Sequence, residues 1–200
     1  MVQWGLSGDT PVPGDYDGDG KTDIAVFRPA SGQWFILTSS SSYTAWTVYQ
    51  LGLPGDTPVA NDYDGDVKTD LAVFRPANGI WYIATSSTNF APVTAMQWGL
   101  NGDIPVPGDY DGDGKGELAV WRPGTRTWYF LHSSTRFTTS TSYQFGLAND
   151  IPVPADYEGS GWTNMAVFHP SSGVWEVKLP VTHIRQAWGT STDVPILGRQ

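Results

Sequence analysis

The sequence predicts an all-β chain: a β-propeller of four 47-residue, four-stranded blades plus a partial fifth repeat. Three observations carry that prediction. One phrase returns four times, as "PVPGDYDGDGKTDIAVFRP" at 11–29, "PVANDYDGDVKTDLAVFRP" at 58–76, "PVPGDYDGDGKGELAVWRP" at 105–123 and "PVPADYEGSGWTNMAVFHP" at 152–170. Gln3, Gln50, Gln97 and Gln144 open the units at a constant spacing of 47 residues, and periods of about 40–50 residues belong to propeller blades. No run keeps a 3.6-residue apolar period, while Thr, Val, Gly and Pro occur throughout, which argues against helices.

Within a unit the strand signals follow in order. "TPVPGDY" is a first strand that leads into an acidic loop. "DIAVFRP" is a second, β-branched and apolar, stopped by its proline. "GQWFILTS" is a third after a tight "PASG" turn, and "TAWTVYQLG" is a fourth. The middle strands are apolar on both faces, as sheets packed between neighbours must be. The units run 3–49, 50–96, 97–143 and 144–187, with a partial repeat at 188–200, and are expected to form a single propeller domain over 1–200. A closed four-bladed ring in a monomer is favoured, because each unit supplies a full set of strands. Two chains pairing into an eight-bladed homodimer is the alternative. The spacers between third and fourth strands ("TSSSSYT", "TSSTNFAPV", "LHSSTRFTTST", "LPVTHIR") differ most, and read either as specificity loops or as unconstrained surface.

Composition narrows the function. With 40% hydrophobic and 16% charged residues the 200-residue chain can bury a core. Its net charge of −9 leaves no basic surplus for nucleic acid and suits a cation instead. There are no cysteines, so neither disulfides nor thiolate metal sites arise. No stretch approaches the roughly 20 apolar residues of a spanning helix, so membrane insertion is not expected. Met1 leads directly into "VQWGLSGD", which has no signal-peptide pattern. Because the repeat begins at once, an excised piece of an extracellular or cell-surface protein is favoured over a cytosolic one.

The acidic loop carries the chemistry. Asp15, Asp17, Asp19 and Asp23 fall at loop positions 1, 3, 5 and 9, with Gly20 at position 6 and Lys21 at position 7. A hard cation needs several converging oxygens, and a tight loop supplies them from alternate side chains plus one backbone carbonyl, here that of Lys21, whose ammonium points outward. An EF-hand would continue to an acid at position 12 and a helix. Here an acid at position 9 precedes a strand, so the pattern is a β-blade loop. Calcium is preferred to zinc because the loop has neither Cys nor His, and to magnesium because it can supply many oxygens without waters. The plainer reading is a solvated polar turn. Against it, 14 of the 20 acids occupy these loop positions, and uncompensated carboxylates so close repel one another.

The copies differ. The second offers Asp62, Asp64, Asp66, the carbonyl of Lys68 and Asp70, but Val67 replaces the position 6 glycine, and a β-branched residue fits positive φ poorly. The third offers Asp109, Asp111, Asp113, the carbonyl of Lys115 and Glu117, with Gly114 intact. The fourth keeps Asp156 and Glu158, but Ser160 and Asn164 replace two carboxylates, so it is expected to be weak or empty.

With these motifs the chain resembles the FG-GAP/VCBS repeat proteins, which include the integrin alpha-subunit propeller and bacterial and fungal extracellular propeller lectins. The FG element reads Trp4-Gly5, Leu51-Gly52, Trp98-Gly99, Phe145-Gly146 and Trp188-Gly189. The GAP element reads Val12-Pro13-Gly14, Val59-Ala60-Asn61, Val106-Pro107-Gly108 and Val153-Pro154-Ala155. The resemblance covers essentially the whole chain and rests most on the repeated acidic loop before an apolar strand. It implies calcium bound between first and second strands, and an extracellular adhesive, recognition or carbohydrate-binding role. Family propellers usually have seven blades, so four units and a partial fifth are a departure.

Among other candidates, Trp34, Trp81, Trp128 and Trp175 recur in the third strand and read as inter-blade packing. Trp46, Trp121 and Trp162 fall outside that frame and are the expected ligand-binding aromatics. Arg28, Arg75, Arg122 and His169 are expected to pair with Asp9, Asp56, Asp103 and Asp150. No catalytic constellation is visible, and Glu176 lacks a second non-loop carboxylate for glycosidase chemistry. The function expected is a calcium-binding recognition module for a glycan or a cell-surface protein. The alternatives are an accessory or catalytic propeller of a polysaccharide-degrading enzyme such as a lyase, and a structural segment of a larger adhesin or toxin.

Overall fold

The computed structural model describes residues 3–195. They form an all-β, four-bladed propeller fold of four antiparallel four-stranded sheets, with two short 3-10 turns at Ser86–Thr88 and Ser133–Thr135. The chain falls into two compact units, Met1–Asn101 and Gly102–Gln200, each holding two blades. Met1 and Val2 of the opening "MVQWG", and 196–200 of the partial repeat, lie outside the described residues.

The first blade consists of β1 (Thr10–Pro11), β2 (Ile24–Arg28), β3 (Gln33–Leu37) and β4 (Trp46–Gln50), and the second of β5 (Thr57–Pro58), β6 (Leu71–Arg75), β7 (Ile80–Ala84) and β8 (Thr94–Gln97). The third has β9 (Ile104–Pro105), β10 (Leu118–Arg122), β11 (Thr127–Leu131) and β12 (Ser140–Gln144). The fourth has β13 (Ile151–Pro152), β14 (Met165–His169), β15 (Val174–Lys178) and β16 (His183–Ala187). Each blade runs in sequence order. The first strands are only two residues long, shorter than the pattern suggests, because prolines stand in and beside them and cannot donate to the ladder. A single bridge past the proline, Gly14 to Asp23 and its counterparts, closes the base of each acidic loop.

Register explains the core. Phe27 faces Trp34 across β2 and β3, and Phe74, Trp121 and Phe168 face Trp81, Trp128 and Trp175 in the same way. The third-strand indoles donate Nε1–H to the carbonyl of the residue that follows the fourth strand: Trp34 to Leu51, Trp81 to Trp98, Trp128 to Phe145 and Trp175 to Trp188. The rings of Trp34, Trp81 and Trp128 are buried and that of Trp175 partly so, while each polar edge is satisfied, as a buried tryptophan requires. Blade-to-blade packing within a unit is apolar: Phe27, Trp34 and Leu51 share one cluster with Leu71 and Val73 of the next blade. Trp121, Trp128 and Phe145 share one with Val167.

The expected ion pairs form. Arg28, Arg75 and Arg122 each place Nε 2.7–2.9 Å from Asp9, Asp56 and Asp103, and His169 Nδ1 lies 2.6 Å from Asp150. Asp9, Asp56 and Asp150 also cap the turn before the first strand, accepting from the N–H of Leu6, Leu53 and Leu147. The guanidinium of each arginine also lies 4.2–4.4 Å from an aromatic centroid (Phe35, Tyr82 or Tyr129).

Candidate metal centre

The acidic loops are held by their own backbone. In the first, Asp15 accepts N–H bonds from Gly18 and Gly20, Asp17 from Asp19, and Asp19 from Lys21. This folds the odd-numbered side chains inward, and carboxylate oxygens of Asp15, Asp17 and Asp19 lie within 4.8 Å of one another. The same grouping recurs at Asp62, Asp64 and Asp66, and at Asp109, Asp111 and Asp113. Among the described residues no such group forms at Asp156 and Glu158. There Asn164 replaces an acid and its amide donates to Glu158 Oε1.

The position 9 acid Asp23 is fully buried, its oxygens accepting from Tyr16 N–H and Ser39 N–H. Asp70 and Glu117 repeat the arrangement with Tyr63 and Ser86, and with Tyr110 and Ser133. Burial pushes the Asp23 and Glu117 carboxyls above the usual range, and that of Asp70 to about 7. These acids join the loop to the segment that follows the third strand.

Position 6 needs a left-handed backbone. Gly20 and Gly114 supply it at φ +79° and +83°, and Val67 is held at +68°. Val67 N–H still reaches Asp62 Oδ2 at 2.7 Å, matching Gly20 to Asp15 at 2.9 Å. The substitution therefore keeps the loop's shape under strain. Position 7 side chains turn toward solvent or the preceding blade. Lys21 Nζ lies 3.8 Å from Asp19, and a Cβ on Gly18 would meet the Lys68 stem. Adjacent loops are also stitched together, with Thr69 N–H donating to Asp15 O and Thr163 N–H to Asp109 O.

Two serines after the third strand complete the site, and the sequence reading assigned them only to a variable spacer. Ser39 Oγ donates to Asp19 and Ser40 Oγ to Asp17. Ser86 and Ser87 donate to Asp66 and Asp64, and Ser133 and Ser134 to Asp113 and Asp111. Their signal was a serine 16 residues after each position 9 acid in three units, where the fourth has Pro180. The Ser39 hydroxyl helps hold Asp19 below the usual carboxylate range.

These residues fit a hard divalent cation. The donors are oxygens only, three carboxylates converge, and Asp64 Oδ1 is buried with no hydrogen-bond partner. An isolated buried carboxylate oxygen is costly unless a cation or donor meets it.

The three expected ligand-binding tryptophans separate. Trp121 is 0% exposed, lies in β10 at the register position of Phe27, and donates Nε1–H to Phe145 O. It is a core residue, because it continues the aromatic frame that the sequence reading placed it outside. Trp162 is 50% exposed and lies against Gly112 of the third loop. Trp46 is 57% exposed, 6.2 Å edge-to-face from Trp4, and lines an apolar groove of about 380 Å³ with Leu6, Val26, Arg28 and Phe35.

The sequence pattern of a family described as "FG-GAP-like repeat" matches residues 15–73 and 62–120, together 106 of the 200 residues. No curated protein matches the chain. Among solved structures, the fold is similar to a chain in the crystal structure of BBS1N in complex with ARL6DN, soaked with lead, at 14% identity and a TM-score of 0.52. The match covers 100% of this chain and 59% of that one.

Proposed function

The chain belongs to the FG-GAP-like repeat family, and from that membership and the geometry of its loops we propose that it is a calcium-stabilised recognition module. The observation that carries the reading is the convergence of three carboxylates in three of the four loops, each braced by loop amides and a serine pair. Asp15, Asp17 and Asp19 would hold one ion, Asp62, Asp64 and Asp66 a second, and Asp109, Asp111 and Asp113 a third. The carbonyls of Lys21, Lys68 and Lys115 are the expected backbone donors. Calcium supplies charge neutralisation at carboxylates that otherwise repel. The second loop binds more weakly, because Val67 must hold a strained backbone to present its ligands. Thermal melts in calcium-free and calcium-containing buffer test the reading, since binding to the folded state raises stability by mass action. Superimposable melts would sink it.

The partner proposed is a glycan or a cell-surface protein, in an extracellular or cell-surface setting, with no catalysis by the module itself. The groove beside Trp46 and Trp4 supports a sugar ring: it is of ligand size, aromatic, and edged by the Arg28 guanidinium. A glycan array read with Trp46→Ala tests this, and unchanged binding by the variant counts against it. A second reading is favoured by one observation. Val26 and Phe35 in this groove hold the register positions of Val73 and Tyr82, which pack against the preceding blade. The groove therefore also fits a neighbouring blade, as a structural segment of a longer repeat array would require.

A further inference from the structure

We propose that the fourth blade carries a second ligand groove, which takes a sugar bearing a carboxylate, a uronate residue, through Arg126 and Arg185. The groove measures about 370 Å³ and is lined by these two arginines with Gln144, Leu147, His169 and Glu176. It is the polar counterpart of the groove beside Trp46: Leu147, His169 and Glu176 stand where that groove has Leu6, Arg28 and Phe35.

Four departures from the repeat meet in it. On β15, Glu176 replaces the aromatic residue of the other blades, Phe35, Tyr82 or Tyr129. Directly opposite on β16, Arg185 replaces Val48, Ala95 or Ser142. His169 replaces Arg28, Arg75 or Arg122, and its shorter side chain fills less of the groove. The fourth departure is a strained backbone. Arg126, in the turn between β10 and β11, holds φ +57°, where the other blades use Gly32, Gly79 and Gly173 at +66° to +69°. A Cβ on those glycines would collide with the carbonyl oxygen of Gly52, Gly99 or Gly189. A large side chain is costly at this turn, and residues held in such conformations cluster where ligands are clamped.

The charges select the ligand. His169 Nδ1 lies 2.6 Å from Asp150 and Nε2 3.1 Å from Glu176 Oε2, so both carboxylates are met within the blade. The guanidiniums are not. Among the described residues the arginines paired with carboxylates are Arg28, Arg75 and Arg122. Arg126 and Arg185 have no such partner, and in a chain of net charge −9 they bring positive charge to one groove. A guanidinium fork matches a carboxylate with two parallel hydrogen bonds. Acceptors stand beside them. Gln144 Nε2 donates to Thr125 O, which leaves its Oε1 to accept. Glu176 Oε1 lies 3.7 Å from His183 Nδ1, beyond hydrogen-bond distance. A ligand that answers both sets carries a carboxylate and hydroxyl groups on one ring, as a uronate does. The site goes beyond the Trp46 reading and uses none of its residues.

The test is an NMR titration of the 15N-labelled chain, in calcium-containing buffer, with the methyl glycoside of glucuronic acid. The methyl glycoside of glucose and acetate are titrated alongside. The expected result is saturable shifts of the Arg126 and Arg185 Nε–H signals with the glucuronide, and at least about tenfold weaker binding of glucoside and acetate. Arg126→Gly restores the turn of the other blades; it should raise Tm while weakening glucuronide binding at least about tenfold. Arg185→Gln, at an exposed position, should weaken it similarly. Arg136→Gln removes an exposed arginine outside the groove and should leave binding unchanged. The proposal is overturned by no glucuronide binding, by equal binding of the glucoside or of acetate, or by full affinity in both Arg126→Gly and Arg185→Gln. Absence of glucuronide binding in a chain that still binds neutral glycans through Trp46 overturns this inference alone. Glucuronide binding without any Trp46-dependent glycan binding supports it and removes the first groove instead.

Discussion

Replacing Val67 by glycine is expected to stabilise the protein, although valine is the larger and more hydrophobic residue. Its φ of +68° lies in the left-handed region, where a β-branched residue costs roughly 1–3 kcal/mol. The side chain is 84% exposed, so little burial is lost on removing it. Glycine gives back roughly 0.5–1 kcal/mol through the greater freedom of its unfolded chain. The net gain is about 1 kcal/mol, which for a chain of this size raises Tm by roughly 2–4 °C. The mirror substitution, Gly20→Val at φ +79°, should lower Tm by a similar amount. Melts of both variants and the parent, with and without calcium, give the comparison. If Val67→Gly lowers Tm while Gly20→Val leaves it unchanged, strain at position 6 is not what distinguishes the loops.

Burial makes further outcomes expected. In calcium-free buffer the raised Asp70 carboxyl, at about 7, favours the fold in its neutral form, so its contribution is full below about pH 4 and is lost as pH rises toward 7. Calcium favours the carboxylate, so the gap between calcium-free and calcium-bound melts should widen from pH 5.5 to 7.5; a constant gap would contradict this. Trp121→Ala should cost roughly 3–5 kcal/mol in urea unfolding, whereas Trp46→Ala should cost less than about 1 kcal/mol and act on glycan binding. Asp19→Ala should weaken calcium binding by more than Ser160→Ala, read by calorimetry, because only the first removes a charged donor. Light scattering should give a monomer, and a particle of twice the chain mass would instead favour an eight-bladed pair.

Much of the fold was legible because the repeat is nearly literal. A constant spacing fixes the blade count without any judgement on single strands, and the second and third strands fall where their apolar runs do. The first strands were overread, since "TPVPGDY" has strand composition but its prolines cannot donate to the ladder. The acidic loop was legible from the alternation of Asp with Gly, because only alternate side chains of a tight loop converge. Ser39, Ser86 and Ser133 were not, since they lie 16 residues beyond the position 9 acids and reach the loop only through the pairing of the second and third strands. Trp121 was misplaced for a related reason. It stands where three other blades have phenylalanine, and aligning it by residue type rather than by register sets it outside the core.

Calcium titration by calorimetry, in metal-stripped buffer at pH 7.5, tests the central claim most directly. The account predicts three ions per chain, with the weakest assigned to the second loop by its response to Val67→Gly, and no binding lost in Asp156→Asn. No heat of binding, or a fourth site removed by Asp156→Asn, would contradict it.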